Sequence, residues 1–227
     1  MILNYPSFLI STAFWLWILM KYNRFEREPL KTVVLMFLLG GLISLIPASL
    51  LNELAESFIF REWDMRFPIE RILGKYLIFY GFVGINEEVF KAFATILLIR
   101  RRKSFNEPAD ALIYAMTVAL GFAVYENIMY ANKYGFITLF FRQFNAVTLH
   151  IGLAAIWGIG IAKAKFLHQR KYLRTVAPYV LTAALIHAVY NTSTILRINP
   201  ILTLFLLSAV AFFLIRFAIR KIRTTDL

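Results

Sequence analysis

The chain has 227 residues, of which 60% are hydrophobic and 17% charged, whereas soluble domains average about 45–50% apolar and about 25% charged residues. Its net charge of +12 comes from short basic clusters between apolar runs, a pattern that indicates membrane topology and contact with anionic lipids rather than nucleic-acid binding. Cysteine is absent, which excludes disulfide frameworks, thiolate catalysis and cysteine-ligated metals.

Seven apolar segments are each close to the roughly 20 residues that cross a hydrocarbon core of about 30 Å. They cover residues 2–20, 30–51, 73–99, 109–131, 136–162, 176–196 and 200–217. The first lacks a basic leader and a small-residue cleavage site, so we predict an anchor rather than a signal peptide. The pattern predicts an all-α, polytopic membrane helix bundle of about seven spans, forming one integral-membrane domain over residues 1–227.

The basic residues predict how this bundle is oriented. Seventeen Lys and Arg residues fall in the first, third and fifth loops and at the C-terminus, against seven in the other loops. Because positive charge accumulates on the cytoplasmic side, we expect the N-terminus outside and the C-terminus in the cytoplasm. The basic face would contact anionic lipids of a cell membrane.

The second loop, residues 52–71, alternates acidic side chains with bulky aromatic ones. Such alternation predicts an amphipathic helix at the membrane interface. Two interpretations remain open: a lid or substrate platform over the bundle, or a connector that rests on the lipid headgroups.

The most informative stretch is Asn86-Glu87-Glu88-Val89-Phe90-Lys91, in the middle of the third apolar segment. One charged residue at the bilayer centre costs about 2.5–3.5 kcal/mol on insertion scales. On a helix, Lys91 lies three and four residues after the two carboxylates and can reach both. Either the three groups form an ion-pair cluster that only fixes helix packing, or the surplus acid does chemistry.

Three later spans also carry polar residues at a comparable depth: Glu126, His150, and His187 with Asn191 one turn later. Each alone could be a hydrogen-bonded packing residue. Because polar groups inside a membrane need partners, we expect all of them to converge on one site near the midplane.

These residue types suit peptide-bond hydrolysis without a covalent intermediate. Of Glu87 and Glu88, one can accept a proton from water, and Glu87 is favoured because Lys91 follows it by one helical turn. The histidines can protonate a leaving amine, and the Asn191 amide can donate to an oxyanion. Glu126 would orient a histidine or hold a proton, and Lys91 would be a structural counter-ion. The catalytic candidates are Glu87, Glu88, Glu126, His150, His187 and Asn191, with no cofactor.

In order and span placement, these residues resemble the PrsW family of intramembrane proteases. The matching motifs are Glu87-Glu88-x-x-Lys91, Phe122-x-x-x-Glu126-x-x-x-Tyr130, His150, His187-x-x-x-Asn191 and the acidic, proline-ended segment Asn23 to Pro29. The wider superfamily includes the type II CAAX prenyl proteases, whose pattern has a histidine where this chain has Glu126. That departure argues against a prenyl-protein protease.

The resemblance implies cleavage of a membrane-anchored protein such as an anti-sigma factor, at the first of successive proteolytic sites. Three alternatives from other classes remain. His150, His187 and Glu87 could hold zinc, since three ligands plus water make a catalytic zinc site. Midplane acids and histidines also occur in proton-coupled transporters. The chain could also be a non-catalytic membrane scaffold or immunity protein.

Overall fold

The structure is a computed structural model that describes residues 5–22, 28–60, 69–167, 169–195 and 213. Within these ranges the chain is helical and contains no β-strand. The α-helices are α1 (Tyr5–Tyr22), α2 (Leu30–Leu35), α3 (Gly41–Phe60), α4 (Ile69–Ile99), α5 (Pro108–Tyr134), α6 (Phe136–Phe144), α7 (Ala146–Phe166) and α8 (Tyr172–Ile195). The predicted all-α helical membrane bundle is confirmed.

Four helical stretches among the described residues are long and apolar enough to cross a membrane. They are Leu30–Phe60, Pro108–Tyr134, Ile137–Phe166 and Tyr172–Ser193. Helix α4, which carries Glu87, Glu88 and Lys91 in its middle, is not among them. The predicted count of seven spans is therefore not confirmed, and its last member, residues 200–217, lies outside the described residues apart from residue 213.

The second predicted span is longer in the structure than the sequence pattern indicated. A π-helical segment, Met36–Gly40, joins α2 to α3 without a break, and α3 continues to Phe60. Residues 52–60, assigned to an interfacial helix in the second loop, instead extend the spanning helix. Residues 61–68 of that loop lie outside the described part of the chain.

The fifth predicted span, residues 136–162, is two helices in the structure. Asn145 separates α6 from α7, and its side-chain oxygen accepts a hydrogen bond from the Ala146 backbone N–H at 2.5 Å. Asparagine is among the residues preferred at the N-cap of a helix. Helix α6 also follows a turn at Gly135, whose positive φ of 83° suits glycine because it has no Cβ.

Helix α5 begins at a capping box. The Asp110 carboxylate accepts hydrogen bonds from the backbone N–H groups of Glu107 at 2.7 Å and Asn106 at 3.0 Å. Pro108 occupies the first turn, where its missing N–H costs nothing. This fixed start sets the depth at which Glu126, five turns later, enters the bundle.

The core lies along α5 and α7, which are buried on most of their faces and pack extensively on each other. Helix α8 packs on α7 and on α4, and α3 packs on α4. The polar positions of α4, α5, α7 and α8 consequently face one another inside the bundle.

Candidate active site

The structure brings the predicted polar residues to one cavity of about 350 Å³ inside the helix bundle. The residues that reach its wall, from four helices, are Glu87, Glu126, His150, His187 and Asn191. Glu88 is fully buried behind this wall. All six candidates therefore belong to one constellation.

Glu88 is saturated with hydrogen bonds. Its Oε1 accepts from Lys91 Nζ at 2.5 Å and from His187 Nδ1 at 2.9 Å. Its Oε2 accepts from Trp157 Nε1 at 2.9 Å. Because both oxygens are engaged with buried donors, Glu88 is suited to holding its neighbours in place.

Glu87, next in sequence, has an open oxygen. Its Oε1 accepts a hydrogen bond from Asn52 Nδ2 at 3.3 Å. Its Oε2 is buried and has no hydrogen-bond partner among the described residues, with Lys91 Nζ and His187 Nε2 each 3.8 Å away. A buried polar atom without a partner is rare and costs free energy. Glu87 Oε2 is such an atom, and it offers a free hydrogen-bond acceptor to a molecule in the cavity.

Two asparagines hold Glu87 in this orientation. The Asn86 amide donates to Asn52 Oδ1 at 2.7 Å and to the Ala48 carbonyl oxygen at 2.9 Å. With its oxygen held in this way, Asn52 turns its Nδ2 towards Glu87. The bonds connect α3 to α4 and restrict the rotamers of the Glu87 side chain.

The contact with Glu88 defines the tautomer of His187. A carboxylate only accepts hydrogen bonds, so His187 Nδ1 carries a hydrogen and donates a hydrogen bond to Glu88. Its other nitrogen, Nε2, then bears a free lone pair and faces Glu87 Oε2 at 3.8 Å. Glu87 Oε2 and His187 Nε2 are both acceptors, so a group bound between them would have to donate hydrogen bonds or carry a positive charge.

His150 is engaged at both ring nitrogens. A lysine ammonium has donors and no acceptor, so Lys91 Nζ donates to His150 Nδ1 at 2.9 Å, which leaves Nε2 to donate to Glu126 Oε2 at 3.2 Å. The ring packs against Phe122 at 5.4 Å between centroids and edge-on to His187 at 5.1 Å. The two histidines are thus neighbours with opposite tautomers.

Glu126 has a cationic partner that the sequence did not suggest. Arg142, from α6, donates through Nη2 to Glu126 Oε2 at 2.5 Å and through Nε to Asn127 Oδ1 at 2.7 Å. Among the described residues of the site, three carboxylates therefore meet two buried or half-buried cations, Lys91 and Arg142.

Sequence reasoning missed Asn52, Trp157 and Arg142. Asn52 was assigned to the second loop. Arg142 precedes His150 by eight residues and was counted among the loop charges, although it lies within the predicted span 136–162. Trp157 lies seven residues after His150, on the same helix face, and its N–H needs a partner when buried. That spacing is the one pattern that could have indicated a site residue.

Glu87, His150 and His187 place one potential metal-ligand atom each within 4.8 Å of one another. Nitrogen and carboxylate oxygen are ligand types that Zn²⁺ accepts. Glu87 Oε2 and His187 Nε2 are open, and Glu88 orients His187 in the way that carboxylates orient metal-bound histidines. The donor set fits a divalent metal in class, and His150 would exchange one of its two contacts for the metal.

Comparisons with known proteins point to one family. Residues 28–219 match the model of the family described as PrsW family intramembrane metalloprotease. The chain is 31% identical to "Protease PrsW" of Clostridioides difficile (strain 630) over 185 residues, which cover 77% of this chain and 71% of that protein.

Two further relatives carry the same name. "Protease PrsW" of Geobacillus kaustophilus (strain HTA426) is 30% identical, over 74% of this chain and 69% of its own length. "Protease PrsW" of Bacillus subtilis (strain 168) is 24% identical, over 74% and 72%. No solved structure matches. The chain belongs to the PrsW family of intramembrane proteases.

Proposed function

We propose that this protein is a membrane-embedded endopeptidase in which a glutamate, Glu87, activates water. The observation that carries the proposal is the buried Glu87 Oε2, which has no hydrogen-bond partner among the described residues. It lies 3.8 Å from the unprotonated His187 Nε2 in the wall of the cavity. A water between these atoms would donate to both. General-base catalysis by such a group contributes about 10²–10⁴-fold to a rate.

The reaction follows from these positions. Glu87 takes a proton from the water as the water oxygen bonds to the scissile carbonyl carbon. The oxyanion that forms is stabilised by the amide of Asn191, which lines the same cavity. The proton passes through His187 Nε2 to the amine nitrogen as the C–N bond breaks. Glu88 holds His187 in the required tautomer, and Lys91 balances the charge of Glu88.

The substrate in this proposal is a membrane-anchored regulatory protein such as an anti-sigma factor, cut at the first of successive sites. A cavity between spanning helices suits a peptide that lies within or at the edge of the bilayer. We place the protein in the cell membrane as one domain over residues 1–227, with the N-terminus outside, the C-terminus in the cytoplasm, and anionic lipids against its basic face.

A metal-dependent peptidase is the second candidate, favoured by the close spacing of the ligand atoms of Glu87, His150 and His187 and by the word metalloprotease in the family description. These three residues would hold the ion. When bound, a divalent metal supplies a Lewis acid and lowers the pKa of water. Glu88 and Lys91 would keep their orienting roles unchanged.

The test is cleavage of a panel of single-span membrane peptides by purified protein in detergent. Wild type is compared with Glu87→Gln, Glu88→Gln and His187→Ala, each with and without a zinc chelator. We expect the wild type to cleave, the variants to lose about 10²-fold or more of the rate, and the chelator to have no effect.

Three other outcomes would contradict this expectation. Loss of wild-type cleavage with chelator, restored by added zinc, would establish the metal-dependent candidate instead. Proton-dependent uptake that disappears in Glu87→Gln would identify a transporter. Activity that survives replacement of both Glu87 and Glu88 by alanine would assign the cavity a scaffold role.

A further inference from the structure

Helix α6 has an apolar face outside and a polar face towards the cavity. Its large apolar side chains are exposed at Ile137, Phe140, Phe141 and Phe144. Arg142 and Gln143 point the other way, and Arg142 lines the cavity. This short helix, which lies between the helix ends at Gly135 and Asn145, is thereby connected to the site through one cationic side chain.

The Arg142 guanidinium is fixed in three directions by one turn of α5. Nη2 donates to Glu126 Oε2 at 2.5 Å and Nε donates to Asn127 Oδ1 at 2.7 Å. Its central carbon lies 3.7 Å from the centroid of the Tyr130 ring, a cation–π distance. A planar fork held at two edges and one face has little rotational freedom, which a lysine could not reproduce.

The same Glu126 oxygen that meets Arg142 also accepts from His150 Nε2 at 3.2 Å. Glu126 is consequently bound between a guanidinium and an imidazole. Arg142 balances the charge of Glu126. The His150 ring lies between Lys91 and Glu126, so the position of Glu126 determines the position of the ring.

We propose that Arg142 is a positioning residue that acts through Glu126 to fix the orientation of His150 at the active site. The kinetic consequences of this inference rest on the proposed function. Its structural consequences rest only on the contacts of Glu126 with Arg142 and His150. Helix α6 then sets the geometry of the site, and movement of α6 alters the position of His150 by way of Glu126.

The kinetic arm compares Arg142→Gln and Arg142→Lys with wild type, and uses Lys103→Gln as a control. Lys103 is an exposed cation in the loop between α4 and α5 and is not among the residues that line the cavity. We expect Arg142→Gln to lower kcat by about 10²-fold, the effect of a misplacement of about 1 Å, while KM changes little. Arg142→Lys should recover part of kcat because it keeps the charge, and Lys103→Gln should match wild type.

A double variant tests the route through Glu126. If Arg142 acts by way of this carboxylate, Arg142→Gln combined with Glu126→Gln loses no more activity than Glu126→Gln alone. Additive losses would assign Arg142 an independent role and overturn the proposed route.

The spectroscopic arm does not depend on activity. The chain has three histidines, so ¹⁵N-histidine labelling gives a small set of ring signals that His150→Ala and His187→Ala assign. In wild type we expect His150 to carry its proton on Nε2. Arg142→Gln should shift the His150 signals and leave those of His187 in place. Arg142→Lys should shift the His150 signals less, and Lys103→Gln should not shift them.

The two arms separate two failures. Wild type that cleaves nothing would reject the proposed function, and the His150 signals would still decide the role of Arg142. His150 signals in Arg142→Gln that coincide with those of wild type would overturn the positioning inference whatever the protease result. If Arg142→Gln does not fold, the same comparison is made with Arg142→Lys.

Discussion

At the scale of single residues, the two adjacent glutamates have different environments, and this difference assigns them different tasks. Glu88 has its oxygens bonded to Lys91, His187 and Trp157. Glu87 keeps one oxygen without a partner among the described residues. Two carboxylates that are equivalent in sequence are thus separated into an orienting group and a reactive one by the helices that face them.

This difference predicts that two isosteric substitutions differ in their effect on the free energy of unfolding. Glu88→Gln removes the charge beside buried Lys91, and loss of one partner of a buried ion pair costs about 3–5 kcal/mol in the free energy of unfolding. Glu87→Gln removes no bonded oxygen and should cost about 1 kcal/mol or less, yet abolish most of the activity. Thermal unfolding in detergent, measured beside the cleavage rate, checks both.

The exposed carboxylate of Glu53, on the rim of the same cavity, provides the control. Glu53→Gln should leave both the unfolding midpoint and the rate unchanged. A Glu87→Gln protein less stable than Glu88→Gln, or one that cleaves at the wild-type rate, would reverse the assignment of the two glutamates.

The sequence pattern reveals positions along the chain more readily than partners across the bundle. The spacing of Glu87, Glu88 and Lys91 sufficed to predict that they meet, because all three lie on one helix. Asn52 and Arg142 escaped notice because their roles depend on where α3 ends and where α6 turns. The break at Asn145 was missed although Arg142, Gln143 and Asn145 interrupt the apolar run there, since the mean hydropathy of a whole span does not register a helix cap.

At the scale of elements, the crossing of the joined α2–α3 helix with α5 depends on closely approaching backbones. The π-helical segment Met36–Gly40 lies at this crossing, and a Cβ built on Gly121 would overlap the carbonyl oxygen of Phe37. The wider π turn lets that carbonyl lie against α5 only because Gly121 has no side chain. This contact sets the distance between the helices that carry Asn52 and Glu126.

Gly121→Ala should therefore force α3 and α5 apart. Overpacking of this kind costs about 1–3 kcal/mol, and the displacement should also lower the cleavage rate. Gly81→Ala, in α4, is the matched control because a Cβ there meets no atom within 4 Å among the described residues. Alanine exceeds glycine in helix propensity by about 0.8–1.0 kcal/mol, so Gly81→Ala should be as stable as wild type or more so. A stable, active Gly121→Ala protein would show that this crossing is not tight.

At the scale of the whole molecule, the cavity opens towards one end of the bundle. Its rim includes Glu53 and Glu56 near the end of α3 and Lys133 and Tyr134 at the end of α5. The basic loop after α4, which contains Arg100 to Lys103, lies at the start of α5 and therefore at the opposite end. If positive charge marks the cytoplasmic side, the site receives its substrate from the outer half of the membrane.

The absence of cysteine from the chain makes this orientation measurable without removing any native thiol. Lys133→Cys and Lys103→Cys each place one thiol at an exposed position, at opposite ends of α5. In intact cells a membrane-impermeant maleimide should label Lys133→Cys, and it should label Lys103→Cys only after the membrane is permeabilised. The reverse pattern would place the cavity mouth in the cytoplasm, and the substrate would then have to be cut from the inner face. Retained cleavage in both variants would show that the labelled proteins are natively folded.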